Sequence, residues 1–378
     1  MGIAPDELEF VLSGYTYTHY GVDLSGVGLP NSLIYSQGGI VISPILSLIY
    51  SVWSALFGMN QLSVRLFTSL VMIAVGFLLF VISSKLFSSR VIALFVAFIY
   101  LISPWSIWYG RYASDSPFAL FFMILGIYLF LLSKTRFLWL GLASLIVGFF
   151  CYHGAKLLFI PVLVVLIMYR ALMINKIKRF ERLKNELYIT LAGILFVGIF
   201  GIISIFNLES SVRARSNQIF FLNQQELSWH VDYYRQRAIS TPFASIFINK
   251  LTVSVSTFLA NYFASFSSEV LFVEGDRRFV HKFRIHGLQY PFEFLTLILG
   301  FALMWKKYPR QAALIGILIL IAPLSSAIST FSTSVIHRSF LLVGLMPIVS
   351  GFGLYGFYLA CAKVRLKLFS GALRLLIS

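Results

Sequence analysis

Apolar runs separated by short polar connections occupy most of this chain. With their flanks, these runs reach the roughly 17–25 residues that a helix needs to cross a hydrocarbon layer. A helix satisfies its own backbone hydrogen-bonding groups within lipid, so the pattern predicts an all-α fold, a polytopic membrane helical bundle with about nine or more spans. The predicted spans lie near residues 64–82, 91–108, 117–133, 137–151, 154–172, 187–206, 291–305, 311–328 and 338–360.

The run over residues 40–57 is ambiguous, because its hydropathy alone would also predict a span. Pro44 and four serines interrupt it, and it contains Tyr50 and Trp53, residue types that are enriched at the boundary between water and lipid. We therefore interpret it as an interfacial or re-entrant helix. This interpretation places the acidic residues that precede it on the same face of the membrane as Asp115.

Residues 207–290 form the longest interruption between predicted spans, and a connection of that length is typically functional. Its first half is polar, whereas residues 243–266 mix apolar side chains with Asn249, Lys250 and Asn261. That mixture predicts a helix lying along the membrane surface. The extracytoplasmic loops are thus expected to contain interfacial helices.

We expect residues 1–378 to form one transmembrane domain. Its parts are a first outer loop with an interfacial helix (1–63), a first set of transmembrane helices (64–206), a large outer loop (207–290) and C-terminal transmembrane helices (291–378). The chain opens on a polar, proline-containing stretch and closes as an apolar run begins. From this we expect it to lack an N-terminal helix and to be truncated at its C-terminus.

Composition excludes an ordinary soluble domain, since only 12% of the residues are charged and 59% are hydrophobic, against about 25% charged in soluble domains. The net charge of +16 does not indicate a nucleic-acid partner, because the basic residues are scattered through short loops. The predicted span edges place 17 of the 30 basic residues on one face, which the positive-inside rule makes cytoplasmic. Cys151 and Cys361 are too few for a disulfide framework, and we interpret them as packing residues.

Ionisable side chains beside membrane spans are costly unless they are paired or hydrated, so they are candidate site residues. Four clusters fall on the predicted outer face. They are Asp6-Glu7, Arg111 with Asp115, Tyr152-His153 with Lys156, and His337-Arg338. Arg111 and Asp115 are spaced to share one side of a helical turn. A carboxylate can accept the proton of an attacking hydroxyl, and Arg or Lys can hold a phosphate leaving group.

Each cluster also has a structural interpretation that the sequence leaves open. Asp6-Glu7 could cap a helix, and Arg111 with Asp115 could be a local ion pair. His153 and Lys156 could be interface anchors, and His337-Arg338 could mark a membrane boundary. No spacing is typical of a zinc site, a phosphate-binding loop or a nucleotide fold.

In this order, the clusters and their surroundings resemble the polyprenyl-phosphate-sugar-dependent glycosyltransferases of the GT-C superfamily. That group includes protein O-mannosyltransferases and bacterial aminoarabinose transferases of lipid A. The matching segments are Pro5–Glu7, Tyr20–Gly26 with Leu29-Pro30, Leu56–Leu66, Ser103–Arg111 leading to Asp115, Phe266–Asp276 with Gly287–Tyr290, His337-Arg338, Met346-Pro347 and Gly351–Gly353.

The resemblance implies a reaction cavity at the outer membrane surface and a role for several residues. Asp6 would be the general base that activates the acceptor hydroxyl, with Glu7 supporting it. Asp115 would lie near the acceptor or an optional divalent cation, so Asp6 and Asp115 are the metal candidates. Arg111 would bind the donor phosphate, with Lys156 and Arg338 as weaker candidates. Further site candidates are Asp23, Tyr152, His153 and His337.

The resulting hypothesis is a glycosyltransferase of the plasma (inner) membrane with its active site on the extracytoplasmic face. It would move a hexose or pentose, with inversion, from a polyprenyl phosphate to a protein, lipid or glycan, requiring no cofactor although a divalent cation could assist. Its partners would be the lipid-linked donor, the acceptor and membrane lipid, with no nucleic acid. The alternatives are a non-catalytic transporter or flippase of lipid-linked sugars, which would favour polar residues near mid-span, and a structural membrane subunit.

Overall fold

The computed structural model describes residues 5–24, 26–28, 43–58, 60–132, 134–173, 179–206, 224–238, 244–276, 286–328 and 335–377. Within these ranges the regular elements are helices, and an isolated bridge between Val22 and Gly28 is the one β-type pairing. The predicted all-α class is therefore confirmed.

The helices are numbered in chain order. In the first half they are α1 Pro5–Tyr20, α2 Pro44–Phe57, α3 Gln61–Phe87, α4 Arg90–Ile102, α5 Pro104–Arg111, α6 Asp115–Phe130, α7 Thr135–Cys151, α8 His153–Met173 and α9 Arg179–Phe206. In the second half they are α10 Gln224–Arg237, α11 Ala244–Phe247, α12 Lys250–Ala264, α13 Pro291–Lys307, α14 Pro309–Ile321, α15 Leu324–Ala327, α16 Val335–Arg338 and α17 Leu341–Ile377. A π-helical turn covers Glu269–Val273.

Each of the nine predicted spans coincides with a helix or a pair of helices. Five helical segments in the described part of the chain are long and apolar enough to cross a membrane. They are Gln61–Phe87, His153–Met173, Lys184–Ile203, Pro309–Ala327 and Leu341–Lys363. Helices α6 and α7 are shorter but also apolar, and they pack against each other. The chain is therefore a polytopic membrane helical bundle.

The predicted continuous span over residues 91–108 is wrong in one respect. The structure divides it into α4 and α5, which meet at Ser103 with a bend of 58°. Pro104 causes the break, because proline lacks an amide hydrogen and drives the preceding residue out of the helical region. Ser103 accordingly has φ −58° and ψ 131°. The bend turns α5 and its C-terminal Arg111 away from the axis of α4.

One end of the bundle, here called the Arg170 end, is closed by polar contacts between helix termini. The Arg170 guanidinium donates to the Phe130 carbonyl at the end of α6 and pairs with Glu186 of α9, with Nε and Oε1 3.2 Å apart. The Tyr308 hydroxyl, between α13 and α14, donates to the Phe87 carbonyl at the end of α3 at 3.1 Å. These contacts bring together the helix ends that the charge pattern assigned to one membrane face.

The opposite end, here called the Asp115 end, contains the start of α3, the α5–α6 connection and the α7–α8 junction. Helix α2 contacts this end at both of its own termini. The Ser43 hydroxyl donates to the Phe150 carbonyl at 2.6 Å, and the Trp53 indole N–H donates to the Ser63 carbonyl at 3.1 Å. Helix α2 therefore lies across the Asp115 end, with α1 packed against it. Its position relative to a membrane surface stays a prediction.

The single helix predicted over residues 243–266 is divided into α11 and α12. Asn249 separates them, because its side chain accepts a hydrogen bond from the Thr252 amide at 3.0 Å and begins a new helix. Such an N-cap satisfies an amide that would otherwise lack an acceptor. Whether α12 lies along the membrane stays a prediction.

Helices α13 and α17 approach each other backbone to backbone. A Cβ atom on Gly300 would collide with the Val349 carbonyl, and one on Gly353 would collide with the Thr296 carbonyl. The hydroxyls of Thr296 and Ser350 share a hydrogen bond of 2.6 Å in the same contact. Small residues permit this close approach, which is a common way of packing helices in lipid. The contact joins α13 to α17, the helix that follows His337 and Arg338 in the chain.

Candidate active site

Glu7 joins the first helix to the Asp115 end of the bundle. Its carboxylate is 1% exposed and receives two hydrogen bonds from Arg65 of α3, at 3.0 Å from Nε and 2.8 Å from Nη2. The Ala113 amide, in the α5–α6 connection, donates to the same carboxylate at 3.2 Å. A bidentate pair with a planar guanidinium fixes orientation as well as distance. Glu7 therefore holds α1, α3 and the α5–α6 connection together.

Asp6 precedes Glu7 in the first turn of α1, and its side chain lies outside the part of the chain that the structure describes. Adjacent helical residues point in directions about 100° apart, so Asp6 and Glu7 face different neighbours. The placement of Glu7 nevertheless brings the backbone of Asp6 to the α5–α6 connection. The predicted meeting with the Arg111–Asp115 segment is found for Glu7, whereas the contacts of the Asp6 side chain and the catalytic roles stay predictions.

The expectation that Arg111 and Asp115 share one helical turn is wrong. Helix α5 ends at Arg111 and α6 begins at Asp115, because Tyr112 and Ser114 adopt extended conformations between them. Arg111 is exposed, whereas Asp115 is half-buried in the first turn of α6. The partial positive charge of a helix N-terminus stabilises a carboxylate at that position. The two side chains therefore occupy different environments at the same end of the bundle.

Asp115, Tyr152, His337 and Arg338 come together around Ser116. The Ser116 hydroxyl lies 3.4 Å from Asp115 Oδ1 and 3.2 Å from His337 Nδ1. Burial raises the pKa of the Tyr152 phenol above its ordinary value; the nearby Asp115 carboxylate raises it further and Arg338 lowers it. Four predicted site residues from three separate parts of the chain thus form one cluster.

Aromatic rings surround His337 within this cluster. Its ring centroid lies 5.1 Å from that of Trp108, 6.2 Å from that of Tyr109 and 6.4 Å from that of Tyr112. Trp108 and Tyr112 also pack against each other at 5.3 Å. These rings form an aromatic wall. Their faces are apolar, and their hydroxyl and indole groups can form hydrogen bonds, so the wall offers a surface for a sugar ring or a lipid chain.

Sequence reasoning missed Arg65 and Ser116 as site residues, and it named the aromatic residues of α5 only within a matching segment. Arg65 is an isolated basic residue near the start of a span, and Ser116 follows Asp115 directly. An arginine close to the end of an apolar helix signals a carboxylate partner. That signal was present, but the partner could not be chosen without the packing of α1 on α3.

The segment after α12 contacts the bend between α4 and α5. The Leu288 amide donates to the Val270 carbonyl at 3.2 Å, and the Gln289 amide donates to the Leu271 carbonyl at 2.7 Å. The Leu288 carbonyl in turn accepts from the Trp105 amide at 3.0 Å. The matching segments Phe266–Asp276 and Gly287–Tyr290 therefore meet a third, Ser103–Arg111, which lies far from them in sequence and carries the aromatic residues of α5.

The remaining candidates lie in other surroundings. The Lys156 ammonium lies over the Phe200 and Phe149 rings, 5.0 and 5.7 Å from their centroids. His153 is exposed at the start of α8. Asp23 Oδ1 accepts from the Val27 amide at 2.9 Å and so closes a turn after α1. These contacts favour local packing for Lys156 and Asp23.

The described residues do not contain a group of three or more His, Cys, Asp or Glu side chains arranged to hold a metal ion. The predicted pair of Asp6 and Asp115 includes one side chain that is not described, so its geometry toward a cation stays a prediction. Chemically, the cluster offers a half-buried carboxylate, one arginine, an imidazole and several phenols at one end of an apolar bundle.

Two solved structures of ArnT from Cupriavidus metallidurans are similar to this chain. The apo structure has a TM-score of 0.49 and 12% sequence identity, and the alignment covers 93% of this chain and 55% of that protein. The structure bound to undecaprenyl phosphate has a TM-score of 0.45 and 14% identity, covering 93% and 56%. The chain thus spans about half the length of these proteins. No protein-family model matches the sequence, and no curated protein matches it.

Proposed function

We propose that this chain is a membrane glycosyltransferase that moves a sugar from a polyprenyl phosphate to an acceptor hydroxyl on the extracytoplasmic side. One observation supports it most: Glu7 ties the acidic start of α1 to the connection between Arg111 and Asp115. This places a carboxylate-bearing helix beside cationic and aromatic groups at one end of an apolar bundle. The ordered segments resemble those of the GT-C superfamily, and this resemblance indicates sugar transfer from a polyprenyl phosphate as the reaction.

In the proposed reaction the acceptor oxygen attacks the anomeric carbon from the face opposite the phosphate. Asp6 takes the hydroxyl proton as the new carbon–oxygen bond forms and the bond to phosphate breaks. The departing polyprenyl phosphate carries the electron pair, and the anomeric carbon is inverted. Glu7 serves as a positioning residue, because its two oxygens are already engaged by Arg65 and the Ala113 amide.

Arg111 and Arg338 are the proposed phosphate-binding cations. Arg111 is exposed at the end of α5, and Arg338 lies beside Tyr152 in the cluster around Ser116. Fixed positive charge near a leaving phosphate stabilises the transition state without a nucleotide pocket. We assign Lys156 a smaller part, since its ammonium lies against aromatic rings. Asp115 is proposed to orient the acceptor, with or without a divalent cation.

The direct test is mass spectrometry of purified protein incubated with a panel of polyprenyl-phosphate sugars and candidate acceptors. The wild-type chain should yield a glycosylated acceptor and free polyprenyl phosphate. Asp6→Asn should lower turnover by about 10²–10⁴-fold, the usual contribution of a general base. Glu9→Gln, the same chemical change in the same helix, is the control and should retain activity.

Wild-type turnover in Asp6→Asn would remove Asp6 from the role of base. A transporter would give a different result in sealed vesicles, where the lipid-linked sugar would cross the bilayer with no change in its mass.

A further inference from the structure

A groove between α13 and α17 opens near the Arg170 end of the bundle, at the opposite end from the Asp115 cluster, which consists of Asp115, Tyr152, His337 and Arg338. Its volume is about 540 Å³, and apolar side chains such as Leu303, Phe352 and Leu359 line most of it. Gly356 is part of the lining, and a Cβ atom there would meet the Leu303 side chain. The glycine therefore keeps the groove open.

Three lysines border the same groove: Lys306 and Lys307 at the end of α13, and Lys363 on α17. All three are exposed, and the groove lining in the described structure includes neither Asp nor Glu. Lys307 also lies near the Tyr308 ring, 5.4 Å from its centroid. Tyr308 contacts the end of α3, so the lysines lie at the Arg170 end. An apolar groove thus ends in a concentrated positive charge.

The surroundings of the groove are typical of a surface that faces lipid tails. Trp305 is 55% exposed, Phe357 56% and Tyr358 54%, and all three lie on the helices that form the groove. Aromatic residues at such positions favour the interface between tails and headgroups. A water-soluble anion would gain little from this apolar lining, whereas a lipid would bury its upper acyl chain there.

We propose that this groove binds an anionic glycerophospholipid, with the acyl chain against the apolar lining and the phosphate among the three lysines. Basic pockets between transmembrane helices on the cytoplasmic side commonly hold anionic headgroups. The groove and the Asp115 cluster lie at opposite ends of the bundle, so this lipid is not the sugar donor. The bound lipid bridges α13 and α17 beside the glycine contact that joins them.

Native mass spectrometry of the purified full chain tests this proposal with three probes: phosphatidylglycerol, phosphatidylcholine and a polyprenyl phosphate. Phosphatidylglycerol should bind more tightly than phosphatidylcholine, and the polyprenyl phosphate should bind independently of the three lysines, at the Asp115 end. The triple variant Lys306→Gln, Lys307→Gln, Lys363→Gln should lose affinity for it on the order of a hundredfold. Each ammonium near an anionic headgroup contributes roughly a fivefold factor.

The matched control removes three other charges outside the groove, by Lys85→Gln, Lys134→Gln and Arg136→Gln. It should bind phosphatidylglycerol as the wild type does, and melting temperatures of both triple variants should show whether each is folded. Gly356→Leu fills the groove while keeping its charges and should weaken binding roughly tenfold, as expected for lost burial of part of an acyl chain.

Equal binding of phosphatidylglycerol and phosphatidylcholine would overturn the proposal, as would equal losses in the two triple variants. Loss of polyprenyl-phosphate binding in the lysine triple variant, but not in its control, would also overturn it, by assigning the groove to the carrier lipid. If the lysine triple variant does not fold, unchanged binding of phosphatidylglycerol in Gly356→Leu would overturn the proposal instead. None of these measurements depends on sugar transfer, so the proposed enzymatic activity is tested separately.

Discussion

Glu7 shows how one buried carboxylate can determine where a helix lies. Its partners come from α3 and from the α5–α6 connection, 58 and 106 residues away in sequence. Removing one member of a buried ion pair leaves the other charge without its partner, at a cost of roughly 3–5 kcal/mol when the pair is fully buried. The cost should be smaller here, because the Arg65 side chain is 27% exposed.

Arg65→Gln should therefore lower the free energy of unfolding by about 1.5–3 kcal/mol, the range for hydrogen bonds to charged groups. Denaturant unfolding in detergent would measure it. The double variant with Glu7→Gln should cost less than the sum of the single changes, because both remove the same interaction. Arg90→Gln, an exposed arginine at the start of α4, is the control and should change stability by less than about 0.5 kcal/mol. Additive effects of Arg65 and Glu7 would contradict this account.

Arg111→Ala should chiefly impair use of the lipid-linked donor. A charge-assisted hydrogen bond is worth about 1.5–3 kcal/mol, so kcat/KM for the donor should fall by roughly 10–100-fold. Steady-state kinetics with varied donor would measure it, with Arg90→Ala as the matched control. Unchanged donor KM and turnover would remove Arg111 from the phosphate site.

The sequence predicted the site clusters better than their internal geometry. Asp115, Tyr152, His337 and Arg338 are candidates from sequence because they are ionisable or polar groups beside spans, and the structure assembles them. The spacing of Arg111 and Asp115 predicts one helical turn, which is wrong, because the extended conformations of Tyr112 and Ser114 have no clear local signal. Such details depend on how neighbouring helices pack around the connection.

At the scale of elements, hydropathy predicted where helices form, and single residues decided where they bend or begin. Pro104 breaks the predicted second span, and Asn249 separates α11 from α12. Both residues are visible in the sequence, but neither determines a bend angle by itself. The contact of Leu288 with both Val270 and Trp105 is a tertiary pairing, which no local pattern could indicate.

Gly353→Leu should destabilise the bundle strongly, because the leucine side chain would collide with the Thr296 carbonyl and with the backbone of α13. Overpacking typically lowers the free energy of unfolding by about 1–3 kcal/mol. The loss should be at the upper end of that range here, because the collision is with backbone atoms, which cannot move aside as a flexible side chain can. Gly198→Leu is the control, since a Cβ atom there meets nothing within 4 Å in the described structure. Thermal unfolding in detergent would compare them, and equal melting temperatures would contradict the packing of α13 on α17.

In the described part of the chain, the two ends of the bundle differ in their polar contacts. At the Arg170 end, arginine and tyrosine side chains hold helix termini together, and many of the basic residues follow or precede these termini in sequence. At the Asp115 end, acidic and aromatic residues cluster beneath α1 and α2. Positive charge is retained on the cytoplasmic side of membrane proteins. The Asp115 end is therefore expected to face away from the cytoplasm.

A shared active site requires both acid-bearing segments to face the same, non-cytoplasmic side. Single cysteines, placed in a chain whose native Cys151 and Cys361 are replaced by serine, would test it by labelling with a membrane-impermeant maleimide in intact cells. Tyr20→Cys on α1 and Arg111→Cys on α5 should both be labelled from outside, since both positions are exposed. Lys134→Cys at the Arg170 end should react only after permeabilisation. Labelling of Tyr20→Cys and Arg111→Cys from opposite sides of the membrane would contradict the shared site.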